Sequence, residues 1–186
     1  MTAPSRVVLT DPQSWTAAPM PGSSHPLDLV RLAAAPGRFT IHARFPAGFA
    51  RLEPGGYRAT EEFLVLDGAL EIDDTVYRRG DLTVVPSDYR RGSMRSPGGC
   101  RVLAWFDGRA DFLPGDQLGQ CREPLVSTSI DSAGAVGHLL TSSVATWGRG
   151  ASGAGATVEV VSANLDCWER GGALTPGSRD LVRREL

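Results

Sequence analysis

Two adjacent glutamates, Glu61 and Glu62, head the apolar β-prone run FLVL inside residues 53–99. A strand sends successive side chains to opposite faces, so the two carboxylates part company. One faces an interior and the other is exposed or at an interface. With Glu61 inward, Phe63 and Val65 follow it and supply an apolar wall for a ligand. A carboxylate in such surroundings must find a cation or take up a proton, and a carboxylate so placed suits acid/base chemistry. His42 is a second acid/base candidate. It lies in a run where Thr40, His42 and Arg44 alternate with Phe39, Ile41 and Ala43. With the polar face inward, His42 approaches Glu61 and Arg44 becomes a ligand contact. Trp105, in the run Val102–Phe106, adds aromatic surface for a carbon skeleton. His25 and His138 stand near turn signals and are weaker candidates.

Other chemistries are excluded by what the chain lacks. Lysine is absent, so Schiff-base catalysis within this chain is impossible. Cys100, Cys121 and Cys167 are widely spaced and form no CxxC, which argues against a disulfide framework or a zinc ribbon. Net charge is −2, against nucleic acid as the main partner; arginines 90, 91, 95 and 101 form only a short basic run. No apolar run approaches the roughly 18 residues of a membrane helix, and the first residues carry no signal pattern. These features predict a cytoplasmic location and no membrane partner.

The elements that position these residues are short strands. Proline and glycine punctuate the whole chain. Between them lie β-prone runs at Phe39–Phe45, Phe63–Leu66, Leu70–Ile72, Leu82–Val85, Val102–Phe106 and Thr157–Ser162. Such spacing predicts an all-β antiparallel sandwich or barrel with little helix. One short helix is expected over Arg179–Glu185, with Ser178 as its N-cap. The expected division is an extended lead-in at 1–36 with Trp15 as an anchor, a core at 37–113, and a β-rich half at 114–186. Residues 114–124 read as a linker and 148–155 as a glycine-rich turn. Residues 59–86 can be laid against 155–178, with Gly68 facing Ala163, Leu70 facing Leu165 and Ala156 in the place of Glu61. A degenerate second half is the reading of that repeat.

Spacing within residues 53–99 carries a family resemblance. Glu61 stands seven residues before Gly68, and Gly80 six before Pro86. ATEEFLVLDG, RRGDLTVVP and the following PGGC resemble the two motifs of the cupin superfamily, in particular the ChrR anti-sigma-factor type, over about residues 14–108. The resemblance implies a cupin-like antiparallel β-barrel of jelly-roll type, with 114–186 as a possible degenerate second cupin. It also implies a metal-binding glutamate at Glu61. The histidines of the family's motifs fall at Gly55, Tyr57 and Arg91, none of which makes a good ligand, so no metal and no cofactor are expected. In place of the metal, Arg91 either balances Glu61 or holds an anionic oxygen of a ligand, and Tyr57 donates its hydroxyl to a carbonyl.

The function expected from these readings is a metal-independent enzyme. It performs isomerisation, dehydration or cyclisation of a small oxygenated, polyketide-like metabolite, with Glu61, Tyr57 and His42 catalytic. Arg91, Phe63, Val65, Arg44 and Trp105 bind the ligand. The alternative is a non-catalytic small-molecule-binding or sensory cupin. Exposed strand edges make a homodimer plausible.

Overall fold

The computed structural model describes residues 5–132, 137–150, 158–172 and 174–186. In chain order the strands are β1 (Ser5–Val8), β2 (Thr16–Ala18), β3 (Leu27–Ala35), β4 (Arg38–Phe45), β5 (Phe49–Arg51), β6 (Gly55–Gly56), β7 (Thr60–Ile72), β8 (Thr75–Arg78) and β9 (Asp81–Val85). They continue with β10 (Met94–Ser96), β11 (Cys100–Asp107), β12 (Leu113–Pro114), β13 (Val126–Ser129), β14 (Gly137–Thr141), β15 (Ala145–Arg149), β16 (Val158–Val161), β17 (Cys167–Gly171) and β18 (Leu181–Glu185). Among the described residues the only helical pieces are single 3₁₀ turns at Gly115–Gln117 and Ile130–Ser132. No helix there is long and apolar enough to cross a membrane.

The chain divides into two compact units, one of Gln13–Ser127 and one of Met1–Pro12 with Thr128–Leu186. This corrects the expected boundaries at 36 and 113. The lead-in is not a free arm, because β3 runs antiparallel along β4 from Asp28 opposite Arg44 to Ala35 opposite Arg38. Residues 114–127 stay with the larger unit, whereas β1 pairs with β17 of the other.

The larger unit is an antiparallel jelly roll, as expected. Its main sheet has the order β13-β9-β7-β11-β4-β3-β2, with β8, β10 and β5 attached beyond the far half of β7. The runs expected at 63–66 and 70–72 are one thirteen-residue strand, β7, that serves both parts. Arg101 faces Asp67 and Val102 faces Val65, so Leu66 is an extra residue in the ladder. A one-residue bulge reverses which face each later side chain takes. Phe63 and Val65 join the core before it; Leu70 and Ile72 join the same core after it. Two residues later the chain turns through Gly68 at φ 74°. A Cβ there would collide with the Gly99 carbonyl oxygen.

The smaller unit is a six-stranded antiparallel sheet in the order β1-β17-β16-β18-β15-β14. The helix expected at Arg179–Glu185 is instead β18. It pairs on one edge with β16 and on the other with β15. Seven residues are too few to hold a helix against ladders on both sides, and Leu181, Val182 and Arg183 are all buried. Gly148 and Arg149, expected in a turn, end β15. The repeat does not hold residue by residue. Leu70 lies in a strand, whereas Leu165 occupies a turn at φ 63°; Ala156 lies outside the described residues.

Gly68→Ala is expected to destabilise the protein by at least about 1–3 kcal/mol through backbone strain alone. Gly98→Ala, where an added Cβ meets nothing within 4 Å, should stay within about 0.5 kcal/mol of wild type. Urea denaturation of the two variants checks the contrast.

Candidate functional site

Glu61 occupies the second position of β7, opposite Phe106 of β11 and Val85 of β9. Arg91 follows β9, and its backbone is tied to β6. The Gly55 N–H donates to the Arg91 carbonyl and the Arg91 N–H donates to the Gly55 carbonyl, both at 2.9 Å. This double rung fixes the loop so that Arg91 Nη2 donates to Glu61 Oε2 in a buried ion pair. Both residues lie below 10% exposure. Burial opposes the Arg91 charge, but Glu61 and Tyr57 beside it hold its pKa above the ordinary arginine value.

Tyr57 completes the group. Its ring lies 5.2 Å from the Arg91 guanidinium carbon and packs edge-on against Phe106 and Phe112. Burial, then the Glu61 charge, raises the phenol pKa, so it stays neutral at any physiological pH. The hydroxyl makes no hydrogen bond among the described residues, which leaves it as a free donor. Tyr57, Glu61, Phe63, Arg91 and Phe106 line a small cavity of about 30 Å³, room for about one water. A separate open cleft of about 890 Å³ is lined by Phe39, Ile41, Tyr57, Phe106 and Phe112. Met20, Leu27, Ile41, Tyr57 and Phe106 border both spaces.

The expected site residues are therefore partly brought together. Glu61, Tyr57, Arg91 and Phe63 converge. Val65 is fully buried in the same core but does not line the cavity. His42, Arg44 and Trp105 require correction. Ile41, Ala43 and Phe45 face the core, which sends Thr40, His42 and Arg44 to the opposite side of β4. The apolar alternates, not the polar ones, won the interior. His42 is buried there, hydrogen-bonded through Nδ1 to Gln13 Oε1 at 3.0 Å and packed against Trp15. Burial, then Arg101 and Arg44, lowers its pKa to about 4. Arg44 pairs with Asp28 at 2.6 Å and covers the Trp15 ring, which is the anchor that Trp15 was expected to make. Trp105 lies on β11 opposite Glu62 and Thr40, away from the Phe106 side. Glu62, expected to be exposed or at an interface, is fully buried.

Sequence reasoning missed Arg51. It ends β5 at 1% exposure, with its guanidinium 4.1 Å over the Phe112 ring. Burial, then the Arg91 cation, lowers its pKa to about 10. No spacing rule marks it, since it belongs to neither motif.

Cys100 and Cys167 are not activated nucleophiles. Burial pushes the Cys100 thiol up to about 12 and raises that of Cys167. The metal of the fold family also fits poorly. Glu61 gives its carboxylate to Arg91, and Gly55 has no room for a ligating side chain. A Cβ at Gly55 would strike Phe112 and come within 2.6 Å of the Leu113 carbonyl. Among the described residues no group of three or more His, Cys, Asp or Glu converges.

Arg91→Met leaves Glu61 buried and uncompensated, and should cost about 3–5 kcal/mol. The Glu61→Gln/Arg91→Met double variant should recover more than half of that loss in a denaturation cycle. His42 predicts a pH dependence. Between about pH 6.5 and 4 the unfolded chain binds a proton that folded His42 refuses. Its contribution is therefore full above pH 7 and falls by at most about 3 kcal/mol on acidification to pH 4. His42→Gln should flatten that part of a stability-against-pH curve.

No family model matches the chain, and no curated protein matches it. Solved structures do. A candidate dioxygenase from Nostoc punctiforme superposes with a TM-score of 0.67, covering 98% of this chain and 82% of its own, at 12% identity. YlbA from E. coli gives a TM-score of 0.55, covering 98% of this chain and 90% of its own, at 9% identity. Likeness at such low identity speaks for architecture alone. The chain has a cupin-like jelly-roll fold, with an arginine–glutamate pair and a neutral tyrosine at the positions that its motif spacing marks.

Proposed function

We propose that the Gln13–Ser127 unit takes a small, mainly apolar, oxygenated metabolite into the aromatic cleft and transforms it by metal-independent acid/base chemistry. The observation that carries this reading is the meeting of Glu61, Arg91 and Tyr57 in a small cavity that shares Tyr57 and Phe106 with that cleft. Tyr57, held neutral with a free hydroxyl, donates a hydrogen bond to a ligand carbonyl. Glu61 moves the proton. Its carboxylate is released for that task when Arg91 turns to an oxygen of the bound molecule, an exchange that its several donors permit. Isomerisation, dehydration and cyclisation all fit one base and one hydrogen-bond donor.

A second reading has its own observation. Glu61 already has a partner in Arg91, and the cavity they line holds about 30 Å³. A protein that only binds its ligand, as a sensor does, needs no free base.

Native mass spectrometry of the purified protein identifies what the cleft retains. With that compound, Glu61→Gln is expected to lose at least about a hundredfold in turnover and to keep its affinity within a few-fold. Tyr57→Phe should lose roughly tenfold in affinity, about the worth of one buried hydrogen bond. Full turnover by Glu61→Gln rejects the acid/base reading. Recovery of the compound unchanged by wild type supports binding alone.

A further inference from the structure

Arg51 is the least explained charge in the larger unit. Its Nη1 donates to the Glu53 carbonyl oxygen, while Nε and Nη2 are buried and have no hydrogen-bond partner among the described residues. Those two nitrogens lie along one edge of the guanidinium. Their N–H groups point the same way, at the spacing of the two oxygens of a carboxylate. Arg91 Nε is likewise buried and unpartnered. The two arginines are neighbours in the fold. Arg51 faces Met94 across the β5–β10 ladder, and Arg91 Nη1 lies 3.7 Å from the Met94 sulfur.

The local charges do not balance. Arg51 and Arg91 bring two buried cations, and Glu61, paired with Arg91, brings one buried anion. The Glu53 and Asp73 charges act on Arg51, but neither forms an ion pair with it among the described residues. Asp73 instead accepts the Ser93 N–H at 2.9 Å. One further negative charge, with two oxygens side by side, is what the arrangement lacks. Phe112 connects this point to the cleft. Its half-buried ring lies over the Arg51 guanidinium and also lines the cleft wall, so turning that ring aside opens Arg51 to the cleft.

We propose that Arg51 is a carboxylate-binding residue, and that the cleft takes a small monocarboxylate with an apolar carbon skeleton. This rests on the cleft being the binding site; it does not rest on Glu61 doing chemistry. The carboxylate lies along the Nε/Nη2 edge of Arg51, and the skeleton lies against Phe39, Tyr57 and Phe106. A single negative charge neutralises the cluster, whereas a phosphate dianion overshoots it.

Hexanoate is a suitable probe, with hexanamide as its neutral twin and inorganic phosphate as a second anion, all at matched ionic strength. Near saturation, hexanoate should raise the wild-type Tm by about 3 °C, and the other two should not. Arg51→Met should abolish the hexanoate shift. Without hexanoate it should melt no lower than wild type, because it removes an uncompensated buried cation. The proposal is overturned by equal shifts from hexanoate and hexanamide, by no hexanoate shift in wild type, or by an undiminished shift in Arg51→Met. A marked loss of stability in Arg51→Met without hexanoate also overturns it, since Arg51 is then a structural residue. Glu61→Gln separates the two readings. A retained hexanoate response with unchanged turnover ends the acid/base reading and leaves Arg51 in place.

Discussion

Charge buried without water has to be matched by charge, and the larger unit is organised around one such match. Glu61 and Arg91 are thirty residues apart in sequence and come from elements of different kind, a long strand and a loop. Neither element alone can present the pair. The strand sets Glu61 inward because its apolar alternates do the same, and the rung between Gly55 and Arg91 holds the loop against β6. Removing either support leaves an ion in an apolar core, at a penalty of several kcal/mol. The larger unit thus carries a polar contact of which neither member can be lost alone.

Around this contact the cavity divides into two spaces of different character. The inner one is small and holds the polar groups; the outer one is wide and aromatic. Met20, Leu27, Ile41, Tyr57 and Phe106 line both. The outer space also carries charge of its own, with Arg31, Arg109 and Asp111 in its lining beside the aromatic rings.

Much of this was legible from sequence, for identifiable reasons. The strands β4, β7, β9 and β11 announce themselves through β-branched and aromatic runs between glycines and prolines. Motif spacing singled out Glu61, Tyr57 and Arg91, side chains that meet in the fold. What failed was the assignment of faces. His42 and Arg44 were turned inward because they are polar residues on a strand near a polar site; the apolar alternates had the stronger claim to the core. Trp105 shows that a large aromatic can be fully buried on the side away from the cavity. The bulge at Leu66 was invisible, since it depends on the partner strand β11. Arg51 was missed because its environment is assembled from distant segments. The C-terminal strand was missed because ladders on both edges overrode local helix signals.

The crowding at Gly55 couples two distant positions. Position 55 is where the resemblance puts a motif histidine, yet Phe112 and the Leu113 carbonyl occupy the volume that any side chain there requires. Phe112 in turn covers Arg51. Restoring a ligand at 55 therefore demands a simultaneous retreat of Phe112, which uncovers a buried cation. A side chain at 55 and the ring over Arg51 thus compete for one volume, so positions 55 and 112 can change only together.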